Sequence, residues 1–120
     1  MILIVDDNIE WCMTMKLHIN NVLPKEEIIE CHRGLDAVEV YKNNKPDLVL
    51  MDIELDDIDG LKVTCKLKIE FSDARIIIVS QYDDKAFREE AKMAGAIGYI
   101  TKDNLAPLKE ILLSFLQREN

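Results

Sequence analysis

Short apolar runs alternate with amphipathic stretches along the whole chain. Three runs of strand length are continuously apolar, namely Ile2–Val5, Leu48–Met51 and Ile76–Val79. A run without polar alternation is typical of a strand buried on both faces of a parallel sheet. Weaker runs predict two further strands, over Glu26–Glu30 and Ile97–Ile100. The pattern therefore predicts five strands.

The stretches between these runs have helical spacing. Ile9, Met13 and Leu17 recur every fourth residue and indicate one apolar helix face, after an Asp6-Asp7-Asn8 segment of helix-capping residue types. Gly95 is expected to end the fourth helix, since glycine is common just after helix ends. The other positions that suit helices are Ala37, Val38 and Tyr41; Val63 and Leu67; Phe87, Ala91 and Ala94 after Asp83-Asp84; and Leu108, Ile111, Leu112 and Phe115.

Five strands alternating with five helices favour an α/β fold with helices on both faces of a parallel sheet. The predicted fold is a flavodoxin-like doubly wound five-stranded parallel sheet with strand order 2-1-3-4-5, and residues 1–120 are expected to form one domain.

Charge and cysteine content narrow the function. The formal charge of −8, from 15 basic and 23 acidic residues, argues against direct nucleic acid binding. No apolar run is long enough to span a membrane, and no signal peptide is expected. The three cysteines (Cys12, Cys31 and Cys65) form no CxxC pair, which favours free thiols in a reducing cytoplasm. Cys31 adjoins His32, but no second Cys/His pair completes a zinc site.

Acidic residues follow two of the predicted strands. Asp6-Asp7 come after the first strand and Asp52 after the third, so all three should meet at the topological switch point. Carboxylates this close need a cation to remain ionised together, and an all-oxygen cluster favours Mg²⁺ over Zn²⁺.

Ser80 and Lys102 follow the fourth and fifth strands and would join this cluster. A carboxylate nucleophile, a magnesium ion, a lysine and a hydroxyl together suit phosphoryl transfer through an aspartyl phosphate. Each residue by itself is ordinary, because an Asp pair often only caps a helix and a Ser or Lys after a strand is common. The conjunction of all of them at one sheet edge indicates the chemistry.

The same segments, in the same order and spacing, resemble the receiver domains of two-component response regulators, and the resemblance covers the whole chain. The matching segments are Ile2–Asn8, Pro46–Ile53, Asp59-Gly60, Ile78–Ser80 and Ala94–Lys102. The Lys-Asp pair after Gly-Tyr is similar to regulators with LuxR-type helix-turn-helix output domains.

The resemblance implies a role for each site residue. Asp52 would accept a phosphoryl group from the phosphohistidine of a sensor histidine kinase or phosphotransfer protein, and would later lose it by autodephosphorylation. The Mg²⁺ ligands would be Asp7, Asp52 and the main-chain carbonyl of Glu54, with Asp6 acting through water. Ser80 and Lys102 would contact the phosphoryl group, and Ser80 and Tyr99 would form the switch.

The resemblance also implies an output. A changed surface around the fourth helix, fifth strand and fifth helix would alter dimerisation or output binding, and a homodimer through the first and fifth helices is an alternative. Control of transcription would then require an output domain outside this chain.

Several residues depart from the family pattern. Asp56 stands where proline is usual and, with Glu54 and Asp57, predicts an acidic rim. Gln81, beside Ser80, occupies a position where the family usually has a small residue. It predicts a narrower entrance to the site around Asp52. Asp103 replaces a proline that usually follows a cis peptide bond, so either that costly bond is kept or the loop differs. Glu54 and Tyr82 occupy positions whose residues affect the rate of dephosphorylation in this family.

Three other functions are compatible with parts of this pattern. A receiver-like interaction module that acts without phosphorylation is the main alternative. A magnesium phosphohydrolase usually has Asp-x-Asp and a cap domain, and a flavin-binding protein needs a Ser/Thr/Gly-rich phosphate loop after the first strand. His18 and His32 are interpreted as lone surface or boundary residues that do not relay phosphate, and Trp11 as a packing residue.

Overall fold

A computed structural model describes residues 1–116. The strands are β1 (Ile2–Val5), β2 (Ile28–Cys31), β3 (Leu48–Met51), β4 (Ile76–Ser80) and β5 (Gly98–Thr101), and the helices are α1 (Ile9–Val22), α2 (Ala37–Asn44), α3 (Gly60–Glu70), α4 (Lys85–Ala94) and α5 (Leu108–Leu116).

The strands form one parallel sheet in the order β2-β1-β3-β4-β5, as predicted. Val5 lies opposite both Cys31 and Met51, and Ser80 lies opposite Thr101. Because the strands are parallel and nearly in register, their carboxyl ends lie along one edge. The residues that follow the strands therefore come together there.

Two apolar clusters cover the two faces of the sheet. Alternate residues of β1 point to opposite sides, so that Leu3 and Val5 belong to one cluster and Ile2 and Ile4 to the other. Every residue of β1, β3 and β4 is buried, which agrees with runs that lack polar alternation. Buried parallel strands of this kind hold the functional edge rigidly.

The first helix turns a different face to the core than the apolar spacing indicated. Ile9, Met13 and Leu17 do share a face, but they are 54%, 60% and 65% exposed. The sheet is covered instead by Cys12, Met15 and Ile19. Both stripes are apolar at helical spacing, so the spacing alone does not determine which one is buried.

The helix ends follow local sequence signals in part. The Asn8 side chain accepts a hydrogen bond from the Trp11 amide at 3.0 Å, and Gly95 ends α4 with a φ of 108°. A left-handed backbone of this kind favours glycine. Asp84 stands at the start of α4 without a side-chain capping bond, while Asp83 pairs with Arg88 at 2.6 Å.

Two further features bear on the sequence predictions. Within residues 1–116, no helix has the length and apolar character needed to cross a bilayer. All peptide bonds in this described range are trans, including the bond between Lys102 and Asp103. Of the two alternatives for that position, the loop with a trans bond is the one observed.

Candidate functional site at the carboxyl edge of the sheet

Three carboxylates converge beyond β1 and β3. One oxygen each from Asp6, Asp7 and Asp52 lies within 4.8 Å of the others. Asp6 and Asp52 are buried, and Asp7 is half-buried. The sheet order places these residues directly after the adjacent strands β1 and β3, as the sequence predicted.

Asp52 has an unusual electrostatic environment. Burial, and then the negative charge of Asp6, raises the pKa of Asp52 to about 7, although Lys102 opposes the shift. Asp7 adds to the rise, whereas a hydrogen bond from the Glu54 main chain lowers the pKa. A carboxylate under this repulsion is stabilised in its charged form by any cation that enters the cluster.

Lys102 lies at the end of β5 with its ammonium group directed into the cluster. Its Nζ lies 2.9 Å from Asp6 Oδ2 and 3.6 Å from Asp52 Oδ1. The same Nζ lies 5.1 Å from the centre of the Trp11 ring, within range of a cation–π interaction. Trp11 thus positions Lys102 as well as packing on the core, a role that the sequence analysis missed. Its place in the first turn of the helix that follows Asp6-Asp7 was the available signal.

Ser80 and Tyr99 are linked through the main chain of Tyr82. Ser80 Oγ accepts a 3.0 Å hydrogen bond from the Tyr82 amide, and the Tyr99 hydroxyl donates a 2.6 Å bond to the Tyr82 carbonyl. Ser80 is buried and Tyr99 is half-buried beneath the Arg88 guanidinium, which lies 4.7 Å from its ring centre. The two predicted switch residues are therefore in contact with one loop segment.

Main-chain amides orient the Asp57 carboxylate in the loop after β3. The Asp57 carboxylate accepts hydrogen bonds from the amides of Gly34 and Leu35, at 3.0 and 2.9 Å, and these bonds lower its pKa. It thus caps the short 3₁₀ turn at Gly34–Asp36. Asp57 nevertheless contributes negative charge to the rim, as predicted, since its charge is among those that raise the pKa of Asp56.

Asp56 and Glu54 also stand close to the site. The Asp56 amide donates to Asp7 Oδ2 at 2.7 Å, and the Asp7 charge raises the pKa of Asp56. The Gln81 side-chain amide donates to Glu54 Oε1 at 2.9 Å, which joins the loops after β3 and β4. Gln81 and Glu54 are both exposed, so this bridge lies at the surface beside the buried Asp52.

The donor set fits a hard divalent cation. All three converging side chains offer carboxylate oxygens, and the cluster includes two buried acids beside a single lysine. Such a set suits Mg²⁺ or Ca²⁺ better than metals that prefer nitrogen or sulfur.

Comparison with known proteins gives the family. Residues 2–112 match the family model described as the response regulator receiver domain. This chain is a response regulator receiver domain. The resemblance drawn from the sequence motifs is thereby confirmed, and with it a place in two-component signalling.

Relatives with known names and structures support the assignment. The chemotaxis protein CheY of Bacillus subtilis (strain 168) is 38% identical over 104 residues, which are 84% of this chain and 83% of that protein. A LuxR-family two-component response regulator from Aurantimonas sp. SI85-9A1 is 27% identical with a TM-score of 0.81, over 94% of this chain and 80% of that one. CheY in the CheX-CheY-BeF3-Mg+2 complex from Borrelia burgdorferi is 26% identical with a TM-score of 0.80, over 94% and 86% of the two chains.

Family membership has two general consequences. Receiver domains bind a divalent metal at the acidic pocket, and they interact with histidine kinases or phosphotransfer proteins. Among the described residues of this chain, Asp6, Asp7 and Asp52 form an acidic cluster at the carboxyl edge of the sheet.

Proposed function

We propose that Asp52 is the phosphoacceptor of this receiver domain and that residues 1–120 act as one unit. The observation that supports this most directly is the position of Asp52: it is buried at the end of β3, repelled by two other carboxylates and 3.6 Å from the Lys102 ammonium. The Lys102 ammonium near this carboxylate can contact the negatively charged phosphoryl oxygens. The repulsion from the two other carboxylates favours the binding of a cation.

The transfer would run from the phosphohistidine of a sensor histidine kinase or phosphotransfer protein. One Asp52 oxygen attacks phosphorus, a P–O bond forms, the P–N bond to the histidine breaks, and the histidine keeps the bonding electrons and takes up a proton. Lys102 moves its ammonium from Asp52 towards the phosphoryl oxygens, while Trp11 keeps it at the cluster. Ser80 offers a hydroxyl donor on the neighbouring strand.

We assign Mg²⁺ as the cation, held by Asp7, Asp52 and the main-chain carbonyl of Glu54, with Asp6 acting through water. When bound, Mg²⁺ would neutralise charge on the phosphoryl oxygens and bring them to the attacking carboxylate. The chain itself supplies the acidic cluster and the hydrogen bond from the Asp56 amide, which orients Asp7.

Ser80 and Tyr99 would transmit phosphorylation to the surface. If Ser80 turns towards the phosphoryl group, its bond with the Tyr82 amide is weakened, and Tyr82 also holds the Tyr99 hydroxyl. Movement of Tyr99 would then change the face formed by α4, β5 and α5. We propose this face for homodimerisation or output binding, with the α1 and α5 face as the other candidate, and transcription control through an output domain as the downstream effect.

We place the protein in the cytoplasm, where its three free cysteines remain reduced. No direct nucleic acid or membrane contact is assigned to this acidic domain.

Receiver-like interaction without phosphorylation is a second candidate function. The Gln81–Glu54 bridge favours it, because this contact stands beside the phosphoacceptor and would hinder a donor.

One labelling experiment separates the two functions. The chain is incubated with Mg²⁺ and either acetyl phosphate or a phosphorylated histidine kinase, and intact mass reports added phosphate. We expect one phosphate on the natural chain, none on Asp52→Asn and one on the exposed control Asp103→Asn. Absence of labelling from every donor, or equal labelling of Asp52→Asn, would overturn the phosphoacceptor assignment and favour the interaction module.

A further inference from the structure

A second group of metal-binding side chains lies outside the acidic pocket, between α1 and β2. The Cys12 sulfur, a Glu30 carboxylate oxygen and a His32 ring nitrogen lie within 4.8 Å of one another. Cys12 is 18 positions from Glu30 and 20 from His32, and the packing of α1 on the sheet brings it to them. The adjacent Cys31-His32 pair in the sequence gives no sign of this neighbour.

We propose that Cys12, Glu30 and His32 form a binding site for a borderline transition-metal ion, with Zn²⁺ as the natural candidate. One thiolate, one imidazole and one carboxylate are three ligands that Zn²⁺ accepts in a tetrahedral set, with water as the fourth. Mg²⁺ would be disfavoured, because sulfur and nitrogen replace the oxygens that it requires.

The ligand atoms are already oriented towards one another. His32 Nε2 lies 2.7 Å from Glu30 Oε1, and Lys16 pairs with the other oxygen, Glu30 Oε2. The imidazole and one carboxylate oxygen therefore converge, while the lysine fixes the carboxylate from outside. In known metal sites, hydrogen bonds from groups outside the ligand set orient the ligands, as Lys16 would orient Glu30 here. In a tetrahedral zinc site Nε2 and Oε1 would lie about 3.3–3.5 Å apart, so both side chains would have to separate by roughly 0.6–0.8 Å.

The site combines a dry interior with an open side. Cys12 is fully buried, the Glu30 side chain is 17% exposed, and the His32 side chain is 41% exposed. An ion can thus enter from the His32 side, where a water ligand also has room. The buried sulfur would exclude solvent on the other side.

The Cys12 thiol keeps its proton when no cation is present. Burial, and then the negative charges of Glu30 and Asp6, raise the pKa of this thiol to about 12, whereas the Lys16 ammonium opposes the shift. The Glu30 carboxylate supplies negative charge beside the sulfur, and Lys16 offsets part of that charge. Metal binding would release the thiol proton to solvent, and it would free the Asp6 carbonyl, which now lies 3.5 Å from the sulfur.

Cobalt titration of the reduced, metal-free full chain tests the site. Saturating Mg²⁺ is added first to fill the acidic pocket, and Co²⁺ is then followed by absorption, since only a thiolate ligand gives a sulfur-to-cobalt charge-transfer band. We expect one Co²⁺ per chain with this band, and we expect Zn²⁺ to displace it. His32→Ala, at an exposed position that should not affect folding, should weaken Co²⁺ affinity by about tenfold or more.

The cysteine and control variants make the result decisive. Cys12→Ser, checked for folding by circular dichroism, should lose the band, whereas Cys31→Ser, Cys65→Ser and His18→Ala should keep both the band and the affinity. The proposal is overturned if no charge-transfer band forms, if the band survives Cys12→Ser, or if His32→Ala binds Co²⁺ as tightly as the natural chain.

Discussion

The Gln81 side chain donates a 2.9 Å hydrogen bond to the Glu54 carboxylate, across the gap between the loops that follow β4 and β3. Both residues are exposed beside a buried Asp52, so the bond ties together two loops that flank the proposed phosphorylation site. Small phosphodonors and attacking water must pass such loops. The bond therefore bears directly on reaction rates.

We predict that Gln81→Ala speeds both labelling by acetyl phosphate and subsequent loss of phosphate. A hydrogen bond worth about 0.5–1.5 kcal/mol corresponds to a change of about two- to tenfold in each rate. Rates are measured by intact mass over time. Glu54→Ala should behave alike, and the double variant should add little to either single one. Fully additive effects would mean that the two side chains act separately.

Lys102→Met is expected to separate cation binding from phosphorylation. Removal of the ammonium group 2.9 Å from Asp6 and 3.6 Å from Asp52 relieves its competition with a divalent ion, so Mg²⁺ should bind about threefold or more tightly. Phosphorylation should fall by about a hundredfold, because the positive charge on the phosphoryl oxygens is lost. Trp11 fluorescence can report Mg²⁺ binding. Lys92→Met, at an exposed position on α4, should leave both quantities unchanged; weaker Mg²⁺ binding by Lys102→Met would contradict the prediction.

Asp52→Asn should stabilise the metal-free protein at high pH. The folded-state pKa of about 7 lies above the ordinary value of 3.8, so the folding stability associated with Asp52 is full below about pH 4 and is lost as the pH rises through 7. In a chelator at pH 8 the variant should gain about 1–3 kcal/mol in the free energy of unfolding, and the gain should vanish near pH 4. Urea unfolding at both pH values measures this. If Asp103→Asn, at an exposed position, gained as much free energy of unfolding at pH 8, the change in net charge would explain the gain and the burial of Asp52 would not.

Tyr99→Phe should weaken the switch while leaving the phosphorylation chemistry intact. The variant loses the 2.6 Å bond to the Tyr82 carbonyl and the contact of the hydroxyl with Ser80, but no group of the acidic cluster, so labelling of Asp52 should stay within about twofold. In NMR spectra, the shifts of the Tyr82–Asp84 amides upon phosphorylation should shrink. Tyr41→Phe, whose ring packs on Phe71 in the core, is the matched control and should leave those shifts unaltered. Unchanged loop shifts in Tyr99→Phe would remove Tyr99 from the switch.

Gly60→Ala is expected to damage the site through its backbone. A Cβ atom at Gly60 would lie 1.8 Å from the Asp52 carbonyl oxygen, and neither main-chain segment can yield easily. We expect a loss of about 3 kcal/mol or more in unfolding free energy, together with reduced labelling. At Gly98 the added atom would meet only the tip of the Ile77 side chain, at 2.7 Å, so Gly98→Ala should cost less. Equal stability losses would show that the close approach to Asp52 has no special importance.

The sequence predicted the sheet and the central site well, for a physical reason. Buried parallel strands must be apolar throughout, and the residues at their carboxyl ends must then share an edge. Asp6, Asp7, Asp52 and Lys102 follow from those two constraints alone, without knowledge of any loop.

Loop and helix-face details were harder to predict because they depend on competing partners. Asp57 was expected at the site rim, but its hydrogen bonds from Gly34 and Leu35, which lie more than twenty residues away, were not predicted. The face of α1 that contains Met13 is as apolar by spacing as the one that contains Met15, yet only Met15 is buried. The clustering of Cys12 with His32 likewise depends on which face of α1 packs on the sheet. Local sequence patterns do not determine that face.

The hydrogen bond from the Asp56 amide to Asp7 links the length of the loop after β3 to the affinity of the proposed cation site. Because the main chain occupies Oδ2, the other oxygen of Asp7 is the one left for the proposed cation. Residues inserted or deleted between Ile53 and Asp59 would shift that amide and re-aim the carboxylate. Among proteins built on this plan, loop length would then adjust the cation concentration at which signalling begins, without any change in the acidic residues themselves.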